Sequence, residues 1–71
     1  MREVTVVLEG MNPHVIRARE GWSLRVDEDS MFYLRVIAFR TGTFLWMRGV
    51  VEKETVASFA LSKLVLWTRS D

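Results

Sequence analysis

From Glu3 to Glu9 apolar and polar residues alternate: Val4, Val6 and Leu8 share one face, Glu3, Thr5 and Glu9 the other, with Val7 as the exception. A period of two predicts a strand with one buried face. Gly10-Met11-Asn12-Pro13 follows with turn chemistry, because Gly tolerates positive φ and Pro presets φ and withholds a donor. Alternation resumes over His14–Glu20 and again over Trp22–Asp27, with Gly21 between them as a bulge or corner. This stretch is expected to form one long bent strand or two short ones. Asp27-Glu28-Asp29-Ser30 reads as a polar turn.

Met31 to Arg40 predicts a strand buried on both faces, with Phe32, Leu34, Val36 and Ala38 on one side and Met31, Tyr33, Arg35, Ile37 and Phe39 on the other. Thr41-Gly42-Thr43 is read as a turn. Thr43 to Glu52 then reads as a strand carrying Phe44 and Trp46 opposite Leu45, Met47 and Val51, with Gly49 at a bend. Trp46, placed mid-strand, is expected to be at least half buried in the fold or an interface. Glu52-Lys53-Glu54 reads as a solvated turn.

Residues 55–67 support two readings. Val56, Phe59, Ala60, Leu64 and Trp67 would share a helical stripe capped by Thr55. Alternatively, Val56–Phe59 and Leu64–Thr68 are strands joined by a tight turn at 60–63, which a single turn of 3₁₀ helix would suit. The strand reading is preferred, because Leu64-Val65-Leu66-Trp67-Thr68 is a compact run of strand formers. No repeat, linker or low-complexity tract interrupts the pattern. Five to seven short strands with turn signals roughly every ten residues predict an all-β fold in a single domain, 1–71. It would be a small barrel or rolled antiparallel sheet of SH3-like or Sm-like size.

Composition adds an interface. Of 71 residues, 35 are apolar, including ten Val, seven Leu, four Phe and three Trp. A chain of about 60 residues buries only roughly 60% of its unfolded surface, so this inventory exceeds what one small core holds. Large exposed apolar patches mark interfaces, and a homo-oligomer is the simplest cover. The strong Arg over Lys bias, eight to two, points to a GC-rich genome. Val4–Leu8 is too short for a secretory signal, and Met31–Phe39, broken by Arg35, is too short for a membrane span. A cytoplasmic protein without membrane association is expected.

The candidate chemistry is sparse. With no Cys and one His, thiolate zinc sites, cysteine nucleophiles and histidine metal clusters within one chain are excluded. His14, next to Pro13, reads as a strand-edge histidine. Asp27, Glu28 and Asp29 lack the glycine and distal glutamate of a calcium loop. Ser23, Ser30, Ser58, Ser62 and Ser70 have no nucleophile-elbow context, and no glycine-rich phosphate loop is present. The reading is therefore non-enzymatic, with no cofactor and no metal.

Arginines and aromatics are what remain. Arg17, Arg19 and Arg25 fall on the polar side of the second segment, and Arg35 shares a strand face with Tyr33. Such a face can hold phosphates and stack bases. Against this, ten basic and nine acidic residues leave a net charge of only +1. Trp and Arg also dominate protein interfaces. The favoured expectation is a self-associating interaction module that binds a protein partner, in a regulatory or phage-related setting, with Phe44, Trp46, Trp67, Tyr33 and Phe39 as interface candidates. The alternative is a small nucleic-acid-binding barrel using Arg17, Arg19, Arg25 and Arg35.

Overall fold

The computed structural model describes the backbone of residues 1–71 and every side chain except that of Phe44. Six strands and one helical turn follow in order: β1 (Glu3–Leu8), β2 (His14–Arg17), β3 (Ser23–Asp27), β4 (Tyr33–Phe44), β5 (Met47–Ala60), the 3₁₀ turn Leu61–Lys63, and β6 (Leu64–Ser70). They form two three-stranded antiparallel sheets, β2-β1-β6 and β3-β4-β5. The all-β class and the strand count are as the alternation implies. The two sheets are not closed into one barrel. No described helix is long and apolar enough to cross a membrane.

The inward faces follow from the pleat. Val4 and Val6 of β1, Leu24 of β3, and Leu34, Val36 and Ala38 of β4 form the buried core. Ile16, Trp22, Val26, Ala57, Phe59 and Trp67 pack around it, partly buried. Phe32, expected on the buried face with Leu34, lies before β4 and is exposed, since the strand starts one residue later at Tyr33.

The second segment is two short strands in different sheets. Trp22 N–H donates to Arg19 C=O at 2.9 Å, closing a turn in which Gly21 takes φ +84°. That geometry matches the third position of a type II turn, which glycine alone occupies without strain. The turn carries the chain from β2 to β3. Leu24 N–H then bonds Met1 C=O at 2.8 Å, tying the sheets together at that end. For residues 55–67 the strand reading holds: β5 ends at Ala60, the 3₁₀ turn spans Leu61–Lys63, and β6 follows.

Two expected turns are not turns. Thr41-Gly42-Thr43 lies within β4, and Glu52-Lys53-Glu54 lies within β5. The chain reverses instead at Leu45-Trp46, so Trp46 is at a hairpin tip rather than mid-strand, and the fold leaves it 85% exposed. Register explains how polar and glycine residues stay in strands. Gly42 lies opposite Gly49, and Arg40 opposite Glu52, with which it forms an ion pair. The missing Cβ of Gly42 makes room for Val51, whose Cγ1 would be 3.2 Å from any Cβ placed there. Two register shifts, where Val56 and Val51 are the extra residues, bulge β5 and bend it around β4.

Candidate interaction surface

The β4–β5 hairpin outruns the sheet that supports it. β3 pairs with β4 only from Asp27↔Arg35 to Ser23↔Phe39. β4 continues to Phe44 with β5 as its one neighbour. Residues 40–51 therefore form a bare two-stranded arm. The principal extents are 48 × 24 × 14 Å. The radius of gyration is 13.6 Å, against about 11 Å for a compact chain of this length.

The arm is apolar where it is most exposed. Leu45, Trp46, Met47, Val50 and Val51 are all exposed. Leu45 is at φ +58°, where a β-carbon is unfavourable. It is the first loop residue of a two-residue hairpin, a position that favours glycine in the type II′ form. Tip and strand thus present large side chains where turn chemistry would place small ones.

At the base of the arm, the outer face of β3-β4-β5 holds a groove of about 400 Å³. Ile37 and Phe39 of β4 line it, with Val50, Val51 and Lys53 of β5 and Arg25 of β3. Register explains the grouping: Arg25 lies opposite Ile37, and Phe39 opposite Lys53.

The interface candidates are dispersed. Trp46 is at the tip and Phe39 is in the groove. Tyr33 is exposed at the other end of β4, about 36 Å along the strand from Phe44. Trp67 faces inward against the core and donates its Nε1–H to Glu28 Oε1 at 3.2 Å. The Phe44 side chain lies outside the described residues. Alternation alone does not show the exposure of Leu45, Met47, Val50 and Val51, because the signal for an arm is the length difference between β3 and β4.

The arginines are also dispersed, and most are paired. Arg17 Nε bonds Glu3 Oε2 at 2.8 Å on the first sheet, across a direct β1–β2 pair. Arg19 pairs with Glu54 and stacks on Trp22, its guanidinium carbon 4.2 Å from the ring centroid. Arg35 Nη2 bonds Asp27 Oδ2 at 2.8 Å on the second sheet, where Arg25 also lies. The Asp27 carboxyl is held below its ordinary pKa, chiefly by the N–H of Asp29 and further by the charges of Arg35 and Arg25. Arg17, Arg19 and Arg25 are thus carried by β2, by the turn after it and by β3, and the first two are paired with carboxylates.

His14 packs its ring 5.5 Å from that of Phe59, and its buried Nε2 has no hydrogen-bond partner among the described residues. Among the described residues, no group of three or more His, Asp or Glu side chains gathers as a metal site. Comparison with family models, curated proteins and solved structures finds no match for this chain.

Proposed function

We propose that this protein is a non-enzymatic interaction module that self-associates and engages a protein partner through the β4–β5 arm. Its surface area carries the reading. A folded monomer of 8.3 kDa exposes about 4,600 Å², whereas this chain exposes 5410 Å². The excess, about 800 Å², is what one partner contributes to a standard protein interface. The arm accounts for it with an apolar tip and two bare backbone edges. A two-stranded ribbon of this kind is marginal alone in water, so a partner that covers it also stabilises it.

Size-exclusion chromatography with light scattering across micromolar concentrations tests the reading. A mass above 8.3 kDa that falls on dilution is expected. A constant 8.3 kDa would remove self-association.

A further inference from the structure

We infer that the arm is covered by a second copy of this chain, through antiparallel β4–β4 pairing over Arg40–Phe44 about a two-fold axis at Gly42. This rests on the self-association proposed above and names its geometry.

The two edges of the arm differ. The outer edge of β5 is bulged at Val51 and Val56 and carries Glu52, Lys53 and Glu54. Bulges and charges are how proteins keep an edge strand from pairing. The β4 edge past Phe39 has no bulge and no proline, and its central residues are Thr41, Gly42 and Thr43. It is an unprotected pairing edge five residues long, from Arg40 to Phe44.

The fold also selects the direction. A two-fold axis at Gly42 sets Thr41 opposite the second copy's Thr43 and Arg40 opposite its Phe44. Thr–Thr neighbours across antiparallel strands are favourable. The two cores then lie at opposite ends of the joint sheet and do not collide. The second copy's β4 runs in the same direction as β3 and continues its line along the same edge of β4. Its last paired residue, Phe44 opposite Arg40, adjoins the Ser23↔Phe39 pair at which β3 begins, so its two-residue tip must turn out of the sheet there. Leu45 and Trp46 of each copy come against that junction, near the groove lined by Phe39 and Arg25. Such an interface is isologous and closes as a dimer instead of propagating as a fibre.

The absence of cysteine makes the register directly readable. Thr41→Cys and Thr43→Cys chains are prepared separately, mixed in equal amounts and oxidised gently. Both positions are exposed, so folding is expected to survive, and circular dichroism checks it. The mixture is expected to cross-link much faster than either variant alone, because position 41 faces position 43 across the axis and not its own copy. A Thr41→Lys/Thr43→Lys double variant crowds like charges at the same place. It is expected to keep its strand signal and to weaken the dimer at least tenfold by light scattering. An oligomer whose mixed cross-link does not exceed the single-variant controls overturns the β4 pairing and leaves self-association standing. So does a mass other than twice 8.3 kDa. A parent that remains monomeric removes both and assigns the arm to a different protein.

Discussion

Arg35 on β4 and Asp27 on β3 are direct register partners, and their side chains close an ion pair, Nη2 to Oδ2 2.8 Å, on the outer face of the second sheet. Asp27 also accepts the N–H of Asp29 at 2.9 Å. The same carboxylate therefore caps the turn after β3 and holds β3 to β4. Its lowered pKa gives a pH signature. The folded state binds its proton less readily than the unfolded chain, so this contribution is present above the ordinary carboxylate range and is lost as pH falls through it to the folded pKa. Asp27→Asn should therefore be less stable than the parent near pH 6. The gap should be smaller at about pH 3, below the ordinary carboxylate value of about 3.9. Denaturant midpoints at the two pH values measure this.

Trp46→Ala separates the tip from the core. An exposed side chain of this kind changes fold stability by about 0.5 kcal/mol or less. As an interface anchor its loss would cost about 2 kcal/mol, or roughly thirtyfold in dissociation constant. Melting of the dilute protein should hardly change, while light scattering should show weaker association. A variant that melts far below the parent would place Trp46 in the core.

Leu34→Ala is the opposite case. Leu34, the second residue of β4, is fully buried in the core. Truncation there should cost about 2–5 kcal/mol, enough to unfold much of a domain this small. Denaturant titration reads the loss directly.

Leu45→Gly should stabilise the isolated chain. A leucine at φ +58° bears the left-handed penalty, about 1–2 kcal/mol, and glycine does not. A higher melting temperature together with weaker self-association is expected, because the exposed Leu45 side chain is lost from the tip.

Nucleic acid should bind weakly or not at all. Fluorescence anisotropy from about 50 to 200 mM salt, with the Arg17→Ala/Arg19→Ala/Arg25→Ala variant beside the parent, provides the test. Submicromolar binding by the parent that the variant loses, with a salt slope flatter by roughly two units, would favour the nucleic-acid reading. Of the ion pairs lost, Arg17–Glu3 is exposed, and such pairs are worth about 0–1 kcal/mol.

Local rules were sufficient for most of the fold. Alternation is a nearest-neighbour property: it put Val4 with Val6, and Leu34 with Val36 and Ala38, but it implied burial on both faces of Met31–Arg40, whereas the fold buries the Leu34 face and leaves Met31 and Tyr33 exposed. Gly21 was legible as a corner because the φ required there admits little else. The excess of apolar side chains over core positions was legible from length and counts. The arm was not. Thr41-Gly42-Thr43 and Glu52-Lys53-Glu54 resemble turns by composition, whereas Leu45-Trp46 does not. Tertiary pairing reversed both: Gly42 sits opposite Gly49, Arg40 pairs with Glu52, and bulges at Val51 and Val56 shift the register of β5 while it stays paired with β4. The partners of Arg19 and Arg35, Glu54 and Asp27, were likewise set by which strands became neighbours. How far β3 extends along β4 depends on strand pairing, which no local pattern encodes. That length difference is what leaves the edge from Arg40 to Phe44 open.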